Sequence, residues 1–313
     1  MNIYMSIVVP THNTRDLTLA CLGSIARASD DSVEVIVVDD GSKDDTAARV
    51  HELFPATRVI RVEQAGGFTT AANLGLRAAA GELLFLLNSD AEIEPETPSL
   101  FRRAFADDPR LGAAGAALHY ADGRPQWSGG TEPTLLWMFT LATGVTGLFD
   151  RIPLYRSLRP LEAARRGPVR WVTGAAMVIR RSAWSQVGVL DERFRFYCQD
   201  LDYCMRLSDA GWKVALLPKV RVLHHGGATI AQRNGSVRAK YNPELLWTDL
   251  IRFIEKRHGP ERAMRVAQMM RMGATLRLLS RRASAVFLSG EDRIRWDRDT
   301  EAFARALTAL SDW

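Results

Sequence analysis

The sequence has little that would staple the chain covalently or hold it in a bilayer. Three cysteines (Cys21, Cys198, Cys204) in 313 residues are too few and too scattered for a disulfide framework, and they point to a reducing compartment. The longest uncharged stretch, from Pro133 to Phe149, falls short of the ~20 residues that a spanning helix needs, and Gly144 and Gly147 interrupt it. The opening, Met1-Asn2-Ile3-Tyr4-Met5-Ser6-Ile7-Val8-Val9-Pro10, has no basic leader region and meets a proline early. It is read as a first strand rather than a signal peptide. No Gly-x-Gly-x-x-Gly or Gly-x-x-x-x-Gly-Lys loop is present, which excludes phosphate cradles of the Rossmann and P-loop kinds. No Gly-x-Ser-x-Gly elbow offers a serine nucleophile.

What remains is the composition of a globular chain with 47% hydrophobic and 25% charged residues, enough to bury a sizeable core. The net charge of +5 is unevenly spread: residues 251–290 hold nine Lys/Arg against two Glu. A near-neutral body therefore carries a basic C-terminal segment, and an anionic surface is the partner this implies.

Apolar, β-branched runs at Ile3–Val9, Val33–Val38, Arg58–Val62 and Leu83–Leu87 are continuous, as in strands buried on both faces. Helical spacing fills 15–28, 43–54 and 68–80. This βαβα rhythm predicts a parallel sheet with ligands at the carboxyl ends of its strands. Further strands are expected at Leu111–Leu118, Val169–Arg180, Trp212–Leu217 and Val220–His225, a helix from Ser182, another over Gln199–Ala210, and helices from Asn242 onward. The segment 128–168 resists assignment.

Polar clusters terminate three of these strands: Pro10-Thr11-His12-Asn13, Asp39-Asp40-Gly41-Ser42 and Asn88-Ser89-Asp90. Each alone is ordinary turn and cap chemistry. Together, at the same ends of parallel strands, they line one crevice. An acidic crevice holds a diphosphate only with a cation between the charges, so Asp90 is read as a ligand for Mg²⁺ or Mn²⁺. Asp40 is placed to accept hydrogen bonds from a base or ribose. Gly67, with Asn73 beyond it, is placed at the edge of the same pocket, where glycine permits close backbone approach. Cys198 and Cys204 have the wrong spacing for zinc and are read as packing.

These residues resemble the family 2 glycosyltransferases of GT-A fold, and among them the bacterial rhamnosyltransferases of cell-surface polysaccharide synthesis. The likeness rests on Ser6-Ile7-Val8-Val9-Pro10-Thr11-His12-Asn13, Val37-Val38-Asp39-Asp40-Gly41-Ser42, Leu87-Asn88-Ser89-Asp90, Trp171-Val172-Thr173-Gly174-Ala175-Ala176, Phe196-Tyr197-Cys198-Gln199-Asp200-Leu201-Asp202 and His224-His225-Gly226-Gly227, in order over about residues 4–230.

The resemblance implies an α/β fold, a Rossmann-like mixed sheet flanked by helices, with a C-terminal helical extension. It implies a catalytic domain over 1–240 (donor half about 1–118, acceptor half about 119–240) and a helical region over 241–313. Pro10, Thr11, His12, Asn13, Asp40, Gly67, Asn73, Ser89 and Gly174 would bind substrate, Asp90 and His224 the metal, and Asp200 would be the catalytic base. Asp202 is either structural or in contact with the acceptor. His12 stands where the family usually has tyrosine, Asn88 replaces the first carboxylate of Asp-x-Asp, and Gln199 replaces an acidic residue.

The implied activity is inverting, metal-dependent transfer of a sugar from a nucleotide-diphosphate donor, dTDP-rhamnose or otherwise a UDP-sugar, to a saccharide or lipid-linked acceptor. A cytoplasmic enzyme, peripheral on an anionic membrane, fits this. Nucleic acid is not an expected partner, and the oligomeric state, homodimer included, stays open. A nucleotidyltransferase and an inactive nucleotide-sugar-binding module are the competing readings.

Overall fold

The structure is a computed structural model that describes residues 3–145, 169–194, 196–226 and 242–313. Strands β1 (Met5–Thr11), β2 (Val33–Asp40), β3 (Arg58–Val62) and β4 (Leu83–Leu87) alternate with helices α1 (Arg15–Ala28), α2 (Thr46–Leu53) and α3 (Phe68–Ala78). Then follow β5 (Ala91–Ile93), α4 (Thr97–Asp107), β6 (Leu111–His119), the short β7 (Gly129–Gly130), α5 (Leu135–Thr143), the short β8 (Trp171–Val172), β9 (Ala176–Arg180), α6 (Arg181–Val187), α7 (Gln199–Asp209) and β10 (Lys213–His224). Three helices complete the described chain: α8 (Pro243–His258), α9 (Pro260–Ser284) and α10 (Gly290–Ala309).

Eight strands form one sheet in the order β3-β2-β1-β4-β9-β6-β10-β5. β1 to β4 run parallel, and β9 is antiparallel to both its neighbours. The chain leaves β1 toward β2 and β3, then crosses to β4 on the other side. That reversal opens a crevice beyond the carboxyl ends of β1 and β4. The strands are buried because their apolar runs face helices on both sides; Ile7, Val8, Val37, Phe85 and Val178 are wholly enclosed. α3 lies so close to the sheet that a Cβ on Gly75 would stand 2.3 Å from Val8 Cγ1.

Three expectations need correction. Arg58–Val62 is a strand but an edge one, with Arg58 and Arg61 exposed and Val59, Ile60 and Val62 only partly buried, so neither of its faces is enclosed as the expectation had it. Val169–Arg180 is not one strand: Thr173-Gly174-Ala175 turns the chain between β8, which pairs with β7, and β9 in the main sheet. Conversely, Trp212–Leu217 and Val220–His225 merge into β10, whose register slips between Leu217 and Arg221, around Pro218, which has no N–H to give a ladder.

The chain falls into two compact units. The first holds both sheets and helices α1 to α4, α6 and α7. The second comprises, among described residues, 132–145, 196–198 and 242–313. Its helix punctuation is legible: Asn242 caps α8 by accepting from the Leu245 N–H, Lys256, Arg257 and His258 sit at its carboxyl end, and Gly259 at φ 86° breaks it before Pro260 starts α9. Asp249, buried in α8, accepts from the Phe196 and Tyr197 N–H groups and pairs with Arg252. None of the three cysteines is in a disulfide, and all are buried.

Candidate active site

The polar ends of β1, β2 and β4 meet as the topology requires. Thr11 Oγ1 bonds Thr14 and Thr18, and Thr14 Oγ1 lies 3.0 Å from Ser89 Oγ, so a hydroxyl network stitches β1 to the turn after β4. Asn13 takes a left-handed φ of 54°, which asparagine tolerates. It receives the Lys43 N–H on Oδ1 and gives its own N–H to Ser42 Oγ. His12 Nδ1 lies 2.6 Å from the Asp40 carbonyl, so that nitrogen carries the proton; Nε2 accepts from the Asn13 amide. The ring is thereby held at the crevice rim, half-buried. Pro10 is buried within β1, in register with Val38.

Asp40 receives the N–H of Gly66 on one oxygen and that of Gly67 on the other, both at 2.8 Å. In this structure its carboxylate shapes the loop before α3, where Gly67 at φ 92° provides the turn. Asn73 does not face the crevice. Fully buried, it donates to the Leu190 carbonyl and to Glu192 and accepts from the Leu190 N–H. Its amide is spent on clamping the turn after α6.

Beyond β4 the donors converge. Asp90 Oδ1 lies 3.2 Å from His224 Nε2 at the end of β10, and the Asn88 amide nitrogen lies 3.3 Å from the same Nε2. Asn88 Oδ1 is buried without a hydrogen-bond partner. The other ring nitrogen, His224 Nδ1, donates to Gln126 Oε1 at 2.8 Å. The Gln126 orientation is fixed because its Nε2 donates to the His224 carbonyl. Gln126 therefore keeps the proton on Nδ1 and turns the Nε2 lone pair toward Asp90. With Nε2 deprotonated, these two acceptor atoms could share a cation. One carboxylate, one imidazole nitrogen and one orphaned amide oxygen suit a divalent ion that takes its remaining oxygens from a diphosphate and water. Among the described residues no three His, Cys, Asp or Glu side chains converge, so the protein's own donor set is partial.

Asp200 opens α7. Its Oδ2 accepts from the Gly174 N–H at 2.9 Å and its Oδ1 from the Leu201 N–H at 2.8 Å. The same turn meets β4, since the Asn88 N–H donates to the Ala175 carbonyl at 2.9 Å. Thr173-Gly174-Ala175 thus joins the Asp90 and Asp200 sides of the site. A Cβ on Gly174 would sit 3.8 Å from Asp200 Cβ, in ordinary contact. Asp202 instead pairs with Arg206 at 2.9 Å, and Arg206 also donates to the Val187 and Val189 carbonyls. Asp202 thus has a bond within the fold. Gln199 is buried, with Oε1 unpartnered.

The two carboxylates are tuned in opposite directions. Burial raises the Asp200 carboxyl above its ordinary value, against the Gly174 and Leu201 N–H groups that favour its charge. Burial also works on Asp90, but with the His224 ring charged, the bond from Nε2–H and the attraction of the ring outweigh burial and hold that carboxyl below the ordinary range. One group stays ionised and the other gains proton affinity, the separation that acid–base chemistry uses.

The structure brings His12, Asn13 and Asp40 together at one edge of the strand ends and Asp90 and His224 at another; the contact of Gly174 with Asp200 is one that sequence reasoning did not indicate. Sequence reasoning also missed Gln126, which lies in a polar turn with no motif around it. Gly227, quoted beside His224, lies outside the described residues.

A Rossmann-like mixed sheet with a polar crevice at its strand ends and a partial cation site defines the GT-A class of sugar transferases. The chain belongs to glycosyl transferase family 2, whose model matches residues 6–186. It is 32% identical over 240 residues, covering 72% of this chain and 77% of the other, to an N-acetylglucosaminyl-diphospho-decaprenol L-rhamnosyltransferase of Mycobacterium tuberculosis. It is 26% identical over 234 residues to the O-antigen biosynthesis protein RfbC of Myxococcus xanthus, covering 72% of this chain and 17% of that one. In fold it is similar to the mannosyltransferase PcManGT of Pyrobaculum calidifontis, solved with GDP-Man and Mn²⁺ (TM-score 0.58, 17% identity, 99% and 86% of the two chains). Staphylococcus aureus TarS residues 1–349, solved with UDP-GlcNAc, is similar too (TM-score 0.51, 20% identity, 97% and 81%). The protein is a glycosyltransferase.

Proposed function

We propose that this glycosyltransferase moves rhamnose, with inversion, from a nucleotide-diphosphate donor to a saccharide borne on a lipid or growing polysaccharide. dTDP-rhamnose is the first donor to test and UDP-sugars the next. The observation that carries the reading is geometric: the Thr173-Gly174-Ala175 turn ties Asp200, held by the Gly174 N–H, to the end of β4, where Asp90 Oδ1 stands 3.2 Å from His224 Nε2. The M. tuberculosis relative's name supports the sugar and the lipid-linked acceptor.

In this reading the strand ends of residues 1–118 take the donor, with His12, Asn13 and Asp40 at the base and ribose, and residues 119–240 take the acceptor. Asp90 and His224, with Asn88 beside them, would hold Mg²⁺ or Mn²⁺, whose positive charge would offset that of the departing diphosphate. Gln126 keeps His224 turned toward it. Asp200 accepts the proton of the acceptor hydroxyl as its oxygen bonds the anomeric carbon and the bond to the diphosphate breaks. The products are the glycoside, the nucleoside diphosphate and a proton; no enzyme nucleophile takes part. Residues 241–313 serve as a helical accessory region.

The test is release of free nucleotide from a panel of nucleotide sugars, with and without a prenyl-diphosphate-linked N-acetylglucosamine acceptor and a divalent ion. Acceptor-dependent release from the rhamnose donor alone is expected. Release from no donor would leave the inactive-module reading standing.

A further inference from the structure

Helix α9 is buried on one side and exposes large apolar side chains among basic and polar ones on the other. One side, Ala263, Val266, Ala267, Met270, Gly273, Ala274 and Leu278, is buried against α5, α8 and α10. Gly273 allows the close approach to α5, where a Cβ would stand 3.1 Å from Thr143 Cγ2. At 100° per residue the opposite arc carries Met264, Met272, Leu276 and Leu279, all about half exposed. Arg265, Gln268 and Thr275 lie within the same arc, Arg271 and Arg282 on one edge of it and Arg262 beyond the other, all six exposed. The helix then ends in a turn whose Val286 and Phe287 are 76% and 88% exposed.

We propose that this outward face of α9, with the Val286–Phe287 turn, docks on the surface of an anionic lipid bilayer. The arginines can reach phosphate groups while their stems, and the methionine, leucine and phenylalanine side chains between them, lie in the acyl boundary. A second copy of the chain fits less well, since a two-fold contact on this face would set its arginines against the same arginines. The lone acid on the face, Glu261, is already paired with Arg265 at 3.2 Å. No helix among the described residues is long and apolar enough to cross a membrane, so the contact lies in the plane of the interface. The inference deepens the reading above, and rests on it, in that a lipid-borne acceptor would be met at such a surface.

The experiment is flotation of the full chain with vesicles of phosphatidylglycerol mixed into phosphatidylcholine, against phosphatidylcholine alone. Binding is expected only with the anionic lipid. It should fall steeply between 0.1 and 1 M salt, as the Debye length shrinks from ~10 Å to ~3 Å. Arg271→Ser with Arg282→Ser should weaken it about 25-fold, at roughly fivefold per basic residue, and Val286→Ser with Phe287→Ser should also release the protein. All four side chains are exposed, so thermal stability should not move; the wild-type flotation decides the matter if any variant misfolds. Absence of flotation, equal flotation on neutral vesicles, or a dimer in solution abolished by Phe287→Ser would overturn the proposal. Nucleotide release is measured in parallel. Flotation without rhamnose transfer would sink the catalytic reading and leave docking intact, and transfer without flotation would do the reverse.

Discussion

His224 Nε2 stands 3.2 Å from Asp90 Oδ1, while Gln126 occupies the other ring nitrogen. The pair links the end of β10 to the turn after β4, elements far apart in sequence, and presents one charged oxygen and one lone pair to the same point. Asp90→Ala should abolish the Mn²⁺-dependent part of nucleotide binding, read by calorimetry with and without EDTA, while thermal stability stays near wild type. Nucleotide binding that ignores EDTA in the wild type would remove Asp90 and His224 from this role.

Gln126 acts through His224, bonding both its Nδ1 and its carbonyl. Gln126→Ala frees the ring to change tautomer and orientation, which should weaken Mn²⁺ binding by about 10- to 100-fold, measured by electron paramagnetic resonance of free Mn²⁺. The ¹⁵N shifts of His224 should show a loss of the Nδ1–H form. A purely structural glutamine would leave that tautomer signature unchanged.

Asp200 is a base only when ionised, and burial raises its carboxyl above the ordinary value. The rate should therefore climb with pH through that raised value and be lost as pH falls below it. Asp200→Asn keeps the size of the side chain but cannot take a proton. It should lower kcat by ~10²- to 10⁴-fold with donor affinity unchanged and abolish the acid limb of the profile. A fully active asparagine variant would reassign the base.

Asn73 separates a binding role from a structural one. Asn73→Ala leaves the buried N–H and carbonyl of Leu190 without their side-chain partner. It should cost about 2–4 kcal/mol and lower Tm by about 5–10 °C. Donor affinity should not change. A large loss of affinity at constant Tm would return Asn73 to the donor pocket.

The half of the fold built on local rules was legible in the sequence. β1, β2 and β4 announce themselves as continuous apolar runs, and the polar residues that end them could only gather where parallel strands end. α8 and α9 were readable from Asn242, Gly259 and Pro260. What the sequence hid depends on contacts between distant segments. Nothing around Thr173-Gly174-Ala175 marks it as a turn until the Gly174 N–H meets the Asp200 carboxylate. A run that could extend straight through is bent by a partner 26 residues away. Asn73 looked like a pocket residue because it follows Gly66-Gly67, yet its amide is used by the backbone at Leu190. Gln126 had no local signal at all, since its importance comes from a histidine 98 residues further on. The outward face of α9 was visible in the spacing of Arg265, Gln268, Arg271 and Thr275, but only burial reveals that Leu276 faces out with them and Met270 in.

The most direct test of the account is the stereochemistry of the transferred sugar. The enzyme is incubated with dTDP-rhamnose, Mg²⁺ or Mn²⁺ and the lipid-linked N-acetylglucosamine acceptor, and the anomeric configuration of the product is read by NMR against that of the donor. With Asp200 as the only base and no enzyme nucleophile, the new glycosidic bond must have the opposite configuration to the donor's, and no product should form with Asp200→Asn on the same timescale. A product that retains the donor's configuration, or one formed equally well by Asp200→Asn, would contradict the mechanism assigned to this site.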